Sequence, residues 1–557
     1  MKAEDIINRI NLIEKKAPLN GCLLPHNKTK FTPSGPKHNS TSNSFISSVK
    51  PDCSKLKGLE VSSVPYVDKH AEELRGEDIP LHVAFFTFLS YGVLLLVGYI
   101  KEFFSPPSSK ERHREDYVPL FVGFESFYFR NVYRPISDCF CRPICGVPGE
   151  RMTVLERTSH NNNWDHVLTG RKIDSINVGS YNYLGFAEKT GPCHDAAARA
   201  ISSLGVAVAS ARTEMGTLEI HHELEALTAE FVGTEDAITF GMGFATNALN
   251  LPSLMGPGCL VLSDECNHAS LILGLRLSGA TVKVFRHNDC NDLERRIRRA
   301  IIDGHPRTRR PWKKVFIIVE GIYSMEGSIC NLPRLIEIKK KYKAYLYVDE
   351  AHSIGALGPR GRGVVDYHNC DPKDVDILMG TFTKSFAAAG GYIAGSKALI
   401  QHLRMSSDAQ HYASAMAPAV AQQIITSMSI IMGKDGTDEG KRRIETLHRN
   451  TVYFRHRLQQ LGFKPFGHPD SPVVPIITFL VTKIAFLVRE LSNRGVASVG
   501  VGFPATKITG ARMRFCLSAG HDKQSLDEVL KHLNELGDVL CCKYNKHKGR
   551  ADLQIEW

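Results

Sequence analysis

Two short runs of the sequence end in residues that do chemistry together. The apolar run at residues 344–348 leads into Asp349-Glu-Ala-His352, and a second run at 376–380 leads into Gly380-Thr381-Phe-Thr383-Lys384-Ser-Phe386. Both read as buried strands that deliver polar side chains to their C-terminal ends, where open α/β sheets hold ligands. A lysine on one strand end and a carboxylate on another suit pyridoxal phosphate. Its aldehyde takes a Schiff-base lysine, and its ring nitrogen stays protonated beside an anion. Burial lowers the pKa of such a lysine and makes its amine a usable nucleophile. The rival reading of Lys384, a solvated surface lysine, sits poorly with the flanking Thr381, Thr383 and Ser385. The Asp-Glu-Ala-His string also fits a helix cap or a metal motif, and no further ligand set accompanies it.

The elements that must position these residues alternate between helix-like and strand-like from about residue 173 to 396, the pattern of a mostly parallel sheet covered by helices. Gly241-Met-Gly243-Phe244-Ala-Thr-Asn247 follows the strand-like Ala237-Ile-Thr-Phe240. Glycines at a strand-to-helix turn expose backbone N–H groups, and the helix start adds partial positive charge, which makes a phosphate cradle beside a cofactor lysine. His268 follows another apolar run, Cys259-Leu-Val-Leu262, and taken alone is more often a structural hydrogen-bonding residue. Tyr181 and Asn182 follow a strand at 176–180 and are also common turn residues. After about residue 433 the composition shifts to a smaller α/β unit, in which the strand-like Val473-Val-Pro-Ile-Ile-Thr-Phe479 precedes a helix-like stretch through Arg494, and Arg512-Met-Arg514 follows.

These strings, with Arg212-Thr-Glu-Met-Gly216, Val319-Glu-Gly-Ile-Tyr-Ser-Met-Glu-Gly327 and Gly502-Phe-Pro-Ala-Thr506, resemble the α-oxoamine synthases. Those enzymes use pyridoxal 5'-phosphate to condense an amino acid with an acyl-CoA, with loss of carbon dioxide. From about residue 64 onward the chain is similar to the catalytic long-chain-base subunits of eukaryotes, of the subunit 2/3 type. The resemblance implies a fold-type I transferase with a large cofactor domain, a smaller C-terminal α/β domain and an N-terminal transmembrane helix. It implies an acyltransferase that makes 3-ketosphinganine-type bases from L-serine and a long-chain acyl-CoA. On the matching positions, Lys384 carries the cofactor and moves the α-proton, Asp349 pairs with the ring nitrogen, His268 stacks on the ring and His352 contacts the phenolic oxygen. Thr381 and Thr383 bind the phosphate, with Gly243 and Phe244 in the cradle. Arg514 holds the substrate carboxylate, a group that a guanidinium grips bidentately, and Tyr181 and Asn182 line the way in.

The implied partners are a lysine-less homologous subunit (subunit 1 type) in a heterodimer, small activating subunits and membrane regulators, at the endoplasmic reticulum membrane with the catalytic domain cytosolic. The rival functions are a sister synthase that uses glycine and a catalytically silent scaffold; the latter has no need to retain Lys384. Three departures stand out. Ala387 replaces a usual Gly, Lys507 a usual Pro, and Glu219-Ile220 a usual Asp-Lys. If position 387 needs positive φ, its methyl strains the loop.

The whole chain frames this site. It has 557 residues, 43% of them hydrophobic, and a formal net charge of +11. The basic clusters at 295–299 and 307–310 fit either a solvated face or attraction to anionic lipid or CoA phosphates. No nucleic-acid motif accompanies them. The 14 cysteines lack metal-site spacing and fit a reduced compartment.

Residues 1–63, poor in large apolar side chains, read as a disordered tail without a cleavable signal. Residues 64–104 read as an anchor, whose uncharged stretch at 81–100 is long enough to span a bilayer. Residues 105–172 read as an arm that hugs the membrane or wraps a dimer, 173–432 as the catalytic domain and 433–557 as the small domain. Lys101, Lys110, Arg112 and Arg114 favour a cytosolic catalytic side. The sequons at Asn27 and Asn39 are modified only if the tail is lumenal.

Overall fold

The computed structural model describes residues 81–104, 123–503 and 505–545. The expected tail, its two sequons and the basic residues 110, 112 and 114 lie outside the described residues.

Helix α1, Leu81–Phe104, is 24 residues long, about 36 Å at 1.5 Å per residue. Its stretch Val83–Phe104 has a mean hydropathy of 2.1, which is compatible with a single membrane span. Phe85, Phe88, Leu96 and Ile100 are exposed on it, whereas Thr87 is 1% and Tyr91 5% exposed. The buried stripe packs through Tyr91 on Tyr128, Val132 and Val481. The helix runs one turn beyond the expected end at residue 100. There Glu102 accepts from Arg130 at 2.9 Å and from Asn131 at 2.7 Å.

The described part of the expected arm folds onto the body. A short helix, Phe124–Tyr128, passes through a π turn and a 3-10 turn to Cys139. Asp138 then pairs with Arg489 at 2.7 Å. The chain continues into β1 (Ile144–Cys145), β2 (Arg151–Thr158) and β3 (Val167–Asn177). Strand β3 crosses the expected boundary at residue 172, and it pairs in parallel with β12 (Val496–Ala497) of the C-terminal part.

The central sheet holds β4 (Asp236–Phe240), β5 (Leu260–Asp264), β6 (Thr281–Phe285), β7 (Val315–Glu320), β8 (Tyr345–Asp349), β9 (Ile377–Thr381) and β10 (Gly391–Gly395), in the order β4-β10-β9-β8-β7-β5-β6. Neighbours from β6 to β9 are parallel, and β10 is antiparallel to both of its neighbours. Helices α2 (Glu219–Val232), α3 (Gly243–Ala248) and α4 (Ala269–Ser278) belong to this layer. Its inner strands β5, β7 and β8 are nearly unbroken apolar runs because both faces are covered, whereas the edge strand β6 exposes Val282 and Val284. In β8, Leu346 and Val348 enter the larger core while Tyr347 enters the smaller one on the opposite face.

In the C-terminal part, α5 (Glu439–Gln460), α6 (Val481–Asn493) and α7 (Lys523–Val539) accompany a sheet of β11 (Val473–Phe479), β14 (Ala511–Cys516) and β13 (Val499–Val501).

The three departures have structural counterparts. Ala387 sits at φ +51°, in the left-handed region, which costs a non-glycine residue about 1 kcal/mol. Lys507 has φ −57°, a value that proline also adopts. Ile220 is buried in the main core.

Candidate active site

The parallel strands set the site by ending together. Asp349 closes β8 beside Glu320, its register partner at the end of β7, and Thr381 closes β9 three residues before Lys384. Asp349 is buried and held from two sides. Its Oδ2 accepts from Asn247 Nδ2 at 2.8 Å and its Oδ1 from the Ala351 amide at 2.9 Å. Asn247 comes from α3, where Tyr347 fixes the flip of its amide by donating to Oδ1 at 2.6 Å. The same Nδ2 donates to Ser270 Oγ at 3.0 Å, and that hydroxyl lies 2.7 Å from Nδ1 of His268. One asparagine thereby ties the carboxylate to the imidazole.

His268 caps α4, accepting from the Ser270 amide at Nδ1. With Nδ1 an acceptor, the neutral ring carries its proton on Nε2. Burial lowers its pKa, partly offset by Asp349, with Lys384 adding to the drop. Its own amide donates to the buried Glu320 carboxyl. Burial, and then Asp349, push the Glu320 pKa well above the ordinary carboxylate range.

Lys384 is half-buried, with Nζ 3.4 Å from Thr381 Oγ1 and 5.6 Å from the centre of the Tyr181 ring. Burial lowers its pKa to about 8, against the pull of Asp349 and Glu320 and with Arg514 reinforcing the drop. His352 is buried at hydrogen-bond distance, 2.8 Å, from the Tyr183 hydroxyl and lies edge-on to Tyr181 at 4.7 Å. Burial takes its pKa well below the usual histidine value. Arg514, on β14, lays its guanidinium over the Tyr181 ring at 4.6 Å. Its Nη1 donates to Met325 Sδ at 3.6 Å, and its buried Nε has no hydrogen-bond partner.

Lys384, Thr381, Asp349, His268, His352, Tyr181 and Arg514 therefore face one cleft between the two parts of the chain. Gly243 and Phe244 open α3 at its edge, and Phe244 meets His268 edge-on at 6.1 Å. Two expected residues stand apart. Thr383 is exposed. Asn182 spends its amide on backbone, donating to the Pro148 carbonyl ahead of β2 at 3.3 Å and accepting from the Ala187 amide of its own loop at 3.2 Å. Sequence reasoning missed the roles of Asn247, Glu320, Ser270 and Met325. For Glu320 the available signal was its place at the end of an apolar run, level with Asp349.

The residues present fit pyridoxal phosphate. A Cβ at Gly243 would stand 3.1 Å from Thr381 Cγ2 and 3.3 Å from the Gly390 carbonyl, so a side chain here would crowd a turn that glycine leaves open to a close-lying phosphate. Beside it lie a deprotonatable lysine, a fixed buried carboxylate and a flat imidazole. Arg514, with its Nε unpartnered, is ready to receive an anion.

A model of the class I and II aminotransferase family matches residues 173–533. Serine palmitoyltransferase 3 of Homo sapiens is 51% identical over 487 residues, covering 85% of this chain and 88% of that protein. Serine palmitoyltransferase 2 of Caenorhabditis elegans is 55% identical over 461 residues, covering 83% and 82%. Among solved structures, a Sphingomonas wittichii serine palmitoyltransferase matches with a TM-score of 0.61 at 28% identity, over 67% of this chain and 89% of that one. A high-resolution structure of the enzyme carrying pyridoxal phosphate matches with a TM-score of 0.62 at 28% identity, over 70% and 93%. The chain belongs to the class I and II aminotransferase family and, within it, to the serine palmitoyltransferases of the subunit 2/3 kind.

Proposed function

We propose that this chain is the catalytic subunit of a serine palmitoyltransferase, joining L-serine to a long-chain acyl-CoA with loss of carbon dioxide to give a 3-ketosphinganine-type base. The observation that carries the reading is the juxtaposition of Lys384, its pKa lowered to about 8, with the Asp349–Asn247–His268 network and an Arg514 whose buried Nε has no partner. A silent scaffold has no use for that combination.

When bound, pyridoxal phosphate supplies an aldehyde for the amino group and a ring that takes up the electron pair left at the α-carbon. Lys384 holds the cofactor between turnovers. The Lys384 amine, when not bound to the cofactor, would be the base that takes the α-proton, a task suited to a pKa of about 8. Asp349, fixed by Asn247 and the Ala351 amide, keeps a negative charge at the ring nitrogen. His268 covers the ring with a neutral imidazole and, with Arg514, orients the serine carboxylate. His352 and Tyr183 form the hydrogen-bonded wall on the phenolic-oxygen side. Thr381 and the Gly243 backbone would hold the phosphate, a task from which the exposed Thr383 stands apart.

The rest of the reading concerns surroundings. Helix α1 anchors the chain in the endoplasmic reticulum membrane with the catalytic body cytosolic, a placement supported by its apolar length and by Lys101 in its last turn. The partner is a lysine-less homologous subunit, with small activating subunits and membrane regulators. In support, Met215, Met242, Phe244 and Tyr412 expose apolar surface at the cradle edge. Their segments adjoin through the Ala211–Ser414 bridge and through the Thr213 hydroxyl bond to the Gln410 carbonyl.

The test is co-expression with such a partner in membranes, labelled serine, glycine or alanine as donor, and a series of acyl-CoA chain lengths. Serine-dependent ketone product that disappears in Lys384→Ala supports the reading. Product from glycine alone makes the chain a sister synthase, and no product from an assembled complex makes it a scaffold.

A further inference from the structure

Arg512 and Arg514 leave β14 two residues apart and on the same face, yet they have opposite fates. Arg512 is buried and engaged. Its Nη1 donates to the Met325 carbonyl at 2.9 Å, its Nε donates to the Gly510 carbonyl at 2.8 Å, and the Glu326 carboxylate lies 3.5 Å from Nη1. Met325 stands in the turn that follows β7, closed by Tyr323 N to the Ser328 carbonyl at 3.0 Å and by Gly327 N to the Tyr323 carbonyl at 2.8 Å. Its side chain reaches the other arginine, whose Nη1 donates to Sδ at 3.6 Å. One residue is therefore gripped by Arg512 through its backbone and touches Arg514 through its side chain.

The choice of a thioether matters. Sulfur is a weak acceptor, and a carboxylate in its place would neutralise Arg514 and compete with an incoming anion. With sulfur as partner and Nε unpaired, the guanidinium is oriented but unsatisfied. A buried cation in that condition gains most when a carboxylate arrives.

We propose that Arg512 is a positioning residue: it latches the Met325 turn of the large domain to β14 of the small one, so that the Met325 sulfur acts as a displaceable placeholder aiming Arg514 at the carboxylate of the amino-acid substrate. The proposal rests on the reading of Arg514 as the carboxylate-binding residue, and it assigns the affinity for the amino acid, not the rate of the chemical step, to Arg512 and Met325.

The experiment uses the full membrane complex with its homologous partner. Serine binding is measured by equilibrium dialysis, and KM and kcat are measured for serine and acyl-CoA, in Arg512→Gln, Met325→Glu and Arg514→Ala. Arg512→Gln is expected to raise the serine Kd and KM about tenfold while kcat stays within about twofold and the acyl-CoA KM is unchanged. Met325→Glu, which leaves the backbone grip of Arg512 in place but offers Arg514 a resident carboxylate, is expected to weaken serine binding by about tenfold or more. A serine Kd within about twofold of wild type in both variants overturns the proposal. So does an equal loss for serine and acyl-CoA, the mark of general loosening. If Arg512→Gln does not assemble, Met325→Glu decides alone. Wild-type serine affinity in Arg514→Ala overturns the underlying reading of that residue instead.

Discussion

The two walls of the cleft are built on opposite principles. On the wall formed by the central sheet three polar side chains are tied down: Asp349 by Asn247 and the Ala351 amide, Asn247 by Tyr347, His268 by Ser270 and by Glu320. On the wall supplied by β14, Arg514 has soft partners, the Met325 sulfur, the Tyr181 ring and the Cys516 thiol beside it, and its Nε is orphaned. A group that stays through every turnover is served by fixed partners, since preorganised dipoles need no rearrangement when charge develops. A substrate that comes and goes is served by a partner with little to give up. The contrast separates holding from catching.

The largest expected effect tests the holding wall. Lys384→Ala removes both the covalent hold and the base, and product formation is expected to fall by at least about 10³-fold, measured as ketone from labelled serine. Asn247→Leu unties Asp349 and His268 together. One lost hydrogen bond to a charged group is worth about 2 kcal/mol, so cofactor retention on dialysis and kcat are both expected to fall by about thirtyfold, with the serine KM less affected. If Asn247→Leu instead raises KM alone, the division between the walls fails.

A pH experiment sharpens the same wall. Burial makes Lys384 lose its proton near pH 8, far below an ordinary lysine, and the amine is reactive only when neutral. Trapping of an aldehyde at Lys384 by borohydride in the cofactor-free protein is therefore expected to rise through about pH 8, with peptide mass mapping the site. A midpoint above about pH 10, the range of an exposed lysine, would contradict the buried setting.

The smallest effect lies beneath the site. Ala387 occupies left-handed space just after Lys384, so Ala387→Gly is expected to relieve about 1 kcal/mol of strain, seen as a rise of a few degrees at most in the melting temperature. A fall would mean that the methyl packs well enough to outweigh the backbone.

Much of this was legible in the sequence where burial and chemistry coincide. Strands β8 and β9 read as apolar runs because helices cover both faces, and Asp349 and Lys384 sit at their ends, so two runs and two charged residues located the cofactor wall. The strain at Ala387 was also visible, as an alanine in a glycine's place. The ties among Asn247, Ser270 and His268 were not, because they join α3 to α4 across a helix contact that no local pattern encodes. Glu320 needed the register of β7 on β8. Asp138 meets Arg489 across 351 residues of sequence, which is why residues 105–172 looked like a separate arm. Met325 and Arg512 were hidden for the same reason, since their meeting depends on how a turn of one domain lies on a strand of the other.

The most direct single measurement is release of labelled carbon dioxide from carboxyl-labelled L-serine by the purified complex. The account predicts release that requires both an acyl-CoA and Lys384, in step with ketone formation. Release without acyl-CoA, or release undiminished in Lys384→Ala, would contradict it.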